Sequence, residues 1–336
     1  MTKEEIGYAV ERIEHLEKIF DEVSSAFNSN PDFLNDKKMQ VKVSLLTQYM
    51  ESGQWLRDYS LDEKGELPAD LKRGILSEDG LYNLICDIEQ SKKQKSNPLF
   101  KFFQKDKTVF AIVWIAIYVL GFGNADFLSD SIGYPKLLTV IFGVLLSTVL
   151  INFIKTNGLF DYFGFCRPKR PAKDFLFYIP LFLISSVNLW FGFSADTEPL
   201  TAVLSVLSMF LVGFLEEIIF RGMFFSGMAE NGIKTAIIVS SLTFGIGHIV
   251  NLLMGAPVFE TLLQTVYASA IGFCYTAVFY KGKSLIPCIA SHIFVNSTSI
   301  FAAQPSNEML IITAALQTVL SIWYGIRILK KDKSLT

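Results

Sequence analysis

From residue 108 to residue 329 the chain is a series of apolar runs separated by short polar breaks. The runs cover about 108–124, 135–154, 174–194, 199–224, 234–254, 258–280, 284–302 and 308–329. A helix needs about 20 apolar residues to cross the hydrocarbon of a bilayer. Eight runs of that length predict an all-α, polytopic membrane protein with about eight transmembrane helices. Charge is distributed accordingly: 36 of the 62 charged residues fall in residues 1–107, so a soluble segment precedes the membrane segment. The net charge of −2 argues against a nucleic-acid partner. Cys86, Cys166, Cys274 and Cys288 are scattered with no CxxC pair, which suggests neither a thiolate zinc site nor a disulfide framework.

The soluble segment, residues 1–95, reads as a small helical domain with an interaction or regulatory role. Ile6, Val10, Ile13, Leu16, Phe20, Val23 and Phe27 recur at spacings of three and four, one apolar stripe on an amphipathic helix. The turn NSNPDF, with Pro31 and Asp32, ends it. A second helix is expected over about 34–58 with Leu45, Leu46 and Tyr49 inward, and a third begins near Ser77, placed to cap it. His15, between Glu14 and Glu17 on the polar side of the first helix, reads as solvated. Lysines 92, 93 and 95 lead into residues 96–107, where Lys101, Lys105 and Lys107 make a basic juxtamembrane linker to the membrane domain, 108–330.

Lys and Arg gather in alternate loops: Lys155, Arg167, Lys169, Arg170 and Lys173, then Lys234, then Lys281 and Lys283, then the tail 331–336 with Lys331 and Lys333 beside Lys330. The intervening loops hold Asp126, Asp130, Asp196, Glu198, Glu260 and Glu308, with Lys136 as their cation. Basic loops face the cytoplasm, so a multi-pass cell-membrane protein with both termini cytoplasmic is expected. No apolar stretch opens the chain, so no signal peptide is expected.

Ionisable residues inside hydrocarbon cost about 2.5–3.5 kcal/mol each on insertion scales. Here they are few: Glu216, Glu217, Arg221, His248 and His292, with Asn296 beside them. Glu217 and Arg221 are four apart and can pair on one helix face. Glu216 points about 100° away from Glu217, and a carboxylate without a cation in a low-dielectric site suits general-base work near neutral pH. Phe244 and His248 share a face, as do His292 and Asn296, and Gly245 and Gly247 leave room beside His248. Glu and His can activate a water; equally, Glu216, His248 and His292 could hold Zn2+ with an open position. His and Asn can donate to an oxyanion. Counted from the basic-loop ends, Glu216 and His292 each lie about 12 Å deep and His248 about 21 Å. The three meet only if residues 226–237 lie partly outside the membrane or the 234–254 span tilts.

E-E-x-x-x-R at Glu216, Glu217 and Arg221, F-x-x-x-H at Phe244 and His248, and H-x-x-x-N at His292 and Asn296 occur in that order on separate apolar segments. In this the chain resembles the CPBP (CAAX-processing and bacteriocin-processing, or Abi) family of intramembrane metalloproteases over about 110–330. The resemblance implies an endopeptidase whose polar cavity opens to the cytosol. Glu216 and His248 would activate water, and His292 and Asn296 would bind the oxyanion or help bind metal. Glu217, Arg221 and Phe244 would support them. It admits Zn2+ and also a metal-free glutamate mechanism. It implies a membrane-associated peptide or protein substrate, and peptide maturation or bacteriocin immunity as roles. The run W-x-x-D-Y…L-P-x-D-L-K-R-G-x-L-S-E-D-G resembles a bacterial domain of unknown function and implies no activity; the interaction or regulatory role read for residues 1–95 leads to the expectation of a cytoplasmic partner. The rival expectations are a non-catalytic membrane immunity or interaction protein and, from the same ionisable residues, an ion-coupled transporter.

Overall fold

The computed structural model describes residues 3–30, 33–77, 79–194 and 197–330. Pro31, Asp32, Asp196, Lys331 and Lys333, and the side chains of Lys93 and Lys95, lie outside the described residues. The chain forms two compact units, Met1–Asn97 and Pro98–Thr336.

The first unit is built from α1 (Lys3–Ser29), α2 (Lys37–Glu51), α3 (Gln54–Glu63) and α4 (Gly80–Ser96). The α1 stripe is buried at Ile13, Leu16 and Val23, with Val10, Phe20 and Phe27 packed alongside, and His15 is exposed. The expected second helix is two helices. Gly53 adopts φ +74 between them, a left-handed conformation that ends α2 and redirects α3. Leu46 and Tyr49 face inward, but Leu45 faces outward, 39% exposed. The W-x-x-D-Y…K-R-G residues turn out to be internal fastenings. Trp55 Nε1 donates to Ile75 O (2.8 Å), Asp58 accepts from Arg12 (2.6 and 2.9 Å) and from the Tyr49 hydroxyl (2.8 Å), and buried Glu17 accepts from Gly74 N and Ile75 N. A Cβ on Gly74 would sit 2.5 Å from Glu17 Oε1, so the carboxylate reaches the backbone only past a glycine.

Burial, then the Asp58 carboxylate, hold the Tyr49 phenol above its ordinary value near 10. An acid whose folded-state pKa is raised contributes stability below its unfolded pKa and loses it as pH rises beyond that. Residues 1–97 expressed alone are therefore expected to lose thermal stability above about pH 10. Tyr49→Phe should flatten that decline, and an unchanged slope in the variant would remove Tyr49 as its source.

The second unit contains α5 (Pro98–Lys105), α6 (Lys107–Ser131), α7 (Leu137–Thr156), α8 (Ile179–Ser185), α9 (Pro199–Ala229), α10 (Ile233–Met254), α11 (Val258–Gly282), α12 (Ile286–Ser299) and α13 (Asn307–Lys330). Much of the expected linker 96–107 is instead α5, whose Phe100 and Phe103 are buried in this unit's core against Phe110, Phe153 and Phe163. Asp106 and Glu198 cap α6 and α9 by accepting from backbone N–H groups one turn in.

Among the described residues, six helices are long and apolar enough to cross a membrane: α6, α7, α9, α10, α11 and α13. The other two of the eight expected spans are shorter. The 174–194 run breaks into two 3-10 turns around α8, because Leu176, Phe177 and Tyr178 take positive φ in succession. The 284–302 run yields α12, whose 14 residues extend about 21 Å, short of a 30 Å hydrocarbon core. Conversely, α9 has 31 residues, about 46 Å. It overreaches that core, so the turn into α10 can lie beyond it, which accounts for the extra nominal depth of His248.

Small residues set the helix contacts around α9, α10 and α12. A Cβ on Gly245 would fall 1.9 Å from Ser269 Oγ, so α10 touches α11 there. A Cβ on Gly213 would fall 3.0 Å from Ile293 N, so α9 meets α12 beside His292.

Candidate active site

Glu217 and Arg221 pair as their spacing predicts, Arg221 Nη1 donating to Glu217 Oε1 at 2.9 Å with both side chains fully buried. The segment Glu217–Phe225 is π-helical. A π turn widens the ladder and is frequent at functional positions, and sequence spacing gives no sign of it. The guanidinium lies over the Phe244 ring (4.0 Å) and near Tyr275 (5.5 Å), a cation–π seat in which the charge needs no further carboxylate.

Glu217 has a second partner. Its Oε1 lies 2.7 Å from His292 Nδ1, joining α9 to α12. The other imidazole nitrogen, Nε2, is 3.3 Å from Glu216 Oε2. Glu216 Oε1 accepts from the Tyr118 hydroxyl of α6 at 2.7 Å. Arg221, Glu217, His292, Glu216 and Tyr118 thus form one chain of polar contacts across three helices. Tyr118 is absent from the sequence motifs. It sits 98 positions before Glu216, and only the α6–α9 packing brings them together.

Proton counting constrains the chain. An ionised Glu217 can only accept, so His292 donates through Nδ1. Nε2 then faces Glu216 Oε2, and a hydrogen bond there needs one proton shared by the two.

His248 begins the 3-10 turn that ends α10. Its ring stands edge-on to Phe244 at 5.4 Å, and Phe244 stands edge-on to His292 at 5.8 Å. Tyr275 backs His292 at 5.9 Å, its hydroxyl bonded to Ser291 Oγ. Asn296, one turn along α12 from His292, lines the same space. Of the two glycines, Gly245 is consumed by helix packing, whereas Gly247 has no neighbour within 4 Å of its Cβ position.

Two cavities meet here. One, of about 330 Å3, runs from Glu216 past Tyr118, Gly247 and Met254 to Asp126 and Lys136. The other, of about 370 Å3, runs between α11, α13 and the 3-10 turn that follows α8, past Asn188, Tyr267 and Gln317. Phe244, His248, His292 and Asn296 line both. Every motif residue named from sequence therefore belongs to one locality.

Among the described residues no three His, Cys, Asp or Glu side chains are grouped to hold a metal ion. Glu216 and His292 contact each other, and His248 joins them through the Phe244 ring. Glu216, His248 and His292 are not gathered as a ligand set in this arrangement.

No curated protein and no solved structure matches the chain. Two family models do. Residues 13–95 match a domain of unknown function, DUF4298. Residues 198–298, which span α9 to α12 and include every motif residue above, match the type II CAAX prenyl endopeptidase Rce1-like family. Residues 198–298 are thus similar to a CAAX-type endopeptidase family, within a multi-pass membrane protein.

Proposed function

We propose that this protein hydrolyses a peptide bond of a membrane-associated polypeptide, using water activated at Glu216. The observation that carries the reading is the placing of Glu216 between the His292 imidazole, 3.3 Å away, and a fixed donor, Tyr118, on a cavity that His248 and Asn296 also line. A water entering beside His248 gives its proton to Glu216 as its oxygen bonds the scissile carbonyl carbon. The carbonyl oxygen becomes an oxyanion, and the Asn296 amide and His248 N–H are the donors that line the space it would occupy. The C–N bond then breaks, and the amine leaves with the proton that Glu216 took from the water. Glu217, fixed by Arg221, holds the His292 ring; Phe244 spaces His248 from it. The residues supply this proton traffic themselves. Peptide maturation and self-immunity against a bacteriocin are roles such cleavage would serve.

The test is turnover of a membrane-tethered peptide library by the purified protein. His248→Ala and His292→Ala should each abolish cleavage at unchanged expression, and full activity in both would overturn the site. Tyr118→Phe removes one hydrogen bond to a charged group, worth about 1.5–3 kcal/mol. It should lower kcat by about 10–10²-fold with KM unchanged, and a change in KM alone would show that Tyr118 binds substrate rather than positioning Glu216.

A further inference from the structure

A separate cavity, of about 410 Å3, lies where the basic loops meet the ends of the spanning helices, and no motif residue lines it. Its walls include Asp161 and Tyr162 from the loop after α7, Phe225 and Glu230 from the last turns of α9, and Phe279 and Lys283 from the end of α11. Phe225 and Phe279 are buried and meet edge to face at 6.0 Å, which gives the cavity an apolar floor. Tyr and Lys at the ends of spanning helices sit at the level of the lipid headgroups.

The charges around this floor are unevenly matched. Glu230 is already neutralised by Lys107, whose ammonium lies over the Phe103 and Tyr162 rings at 5.7 and 5.1 Å. Asp161 and Lys283 carry opposite charges into the same cavity, yet among the described residues neither makes an ion pair, with the other or with a third group. The backbone holds Lys283 in place: its N–H donates to Phe279 O at 2.7 Å, and its carbonyl accepts from Cys166 Sγ at 3.2 Å. Its ammonium rests on the Tyr280 ring at 4.7 Å. Burial, then Lys169 and Lys281, lower that ammonium below the ordinary lysine value. An anion beside it would offset both effects. The Tyr162 hydroxyl oxygen is out of water and has no hydrogen-bond partner, a costly state for a polar atom unless a ligand bonds it.

A separated cation and anion above an apolar floor match a zwitterion with an apolar tail. We propose that this cavity binds the headgroup of a phosphatidylethanolamine-type lipid, in which two carbons join a phosphodiester to a primary ammonium. The phosphate accepts from Lys283, the ammonium donates to Asp161, and the Tyr162 hydroxyl is a further donor for the phosphate. The glycerol end lies on Phe225 and Phe279. A phosphatidylglycerol headgroup would also meet Lys283, but would bring no cation to Asp161. A choline headgroup has no N–H to donate to Asp161. The bound lipid fastens the end of the α9 π-helical segment to α11 and to the loop after α7. None of this rests on the proposed hydrolysis.

The test is lipid binding by the full-length protein, purified and delipidated in detergent. Dioleoyl phosphatidylethanolamine, phosphatidylglycerol and phosphatidylcholine are titrated separately, and the rise in unfolding temperature reports binding to the folded state. The ethanolamine lipid should bind about fivefold more tightly than either of the others, the worth of one charged contact at a membrane surface. Asp161→Asn should abolish that preference, and Lys283→Gln should weaken the ethanolamine lipid about fivefold. Both side chains are exposed, so the lipid-free variants should unfold at the wild-type temperature. Wild type binding phosphatidylglycerol or phosphatidylcholine as tightly as the ethanolamine lipid would overturn the proposal, and this arm needs no variant. A preference that survives both substitutions would overturn it too. Soluble O-phosphoethanolamine should give no protection at the same concentration; equal protection would make the ligand a free zwitterion and remove the lipid.

Discussion

Glu216→Gln will lower peptide turnover by about 10²–10⁴-fold, the range that a positioned general base contributes, while leaving the protein folded. Gln keeps the length and shape of the side chain, and its amide oxygen can still accept from Tyr118, which now lies 2.7 Å from Glu216 Oε1. It cannot take a proton from water. The carboxylate is also only partly committed to structure: its other oxygen meets His292 at a loose 3.3 Å, whereas Glu217 is bound at 2.7 Å and 2.9 Å on two sides. Single-turnover cleavage, with thermal unfolding in detergent measured on the same preparation, checks both halves. A variant that cuts at the wild-type rate would remove Glu216 from the chemistry, whatever the substrate.

What could be read from sequence followed helical spacing, and what could not lay between helices. Glu217 and Arg221, Phe244 and His248, and His292 and Asn296 are each four apart, a spacing that places each pair on one helix face. The α1 stripe is legible for the same reason. Tyr118 is not, because its partner is set by how α6 crosses α9. The second partner of Glu217 is not, because His292 comes from α12. Hydropathy alone cannot distinguish a spanning helix from the broken 174–194 run: Leu176 and Phe177 are apolar, but their backbone is left-handed.

Removing the Arg221 charge alone will destabilise the membrane unit by about 3–5 kcal/mol, as for other buried pairs broken from one side. Arg221→Met leaves Glu217 fully buried with His292 as its remaining partner, and withdraws the guanidinium from the Phe244 and Tyr275 rings. The double variant Glu217→Leu, Arg221→Met removes both charges and fills similar volume. Such replacements are often neutral or stabilising, so it should recover most of the lost stability. It should not recover activity, because His292 then has no acceptor at Nδ1 to set its tautomer and aim Nε2 at Glu216. The stability and turnover of the two variants therefore separate the two duties of the pair. If the double variant were as active as wild type, the Glu217–His292 contact would be a packing feature alone. If it stayed as unstable as Arg221→Met, the unpaired carboxylate would not be the cause, and the fault would lie in the emptied space above Phe244.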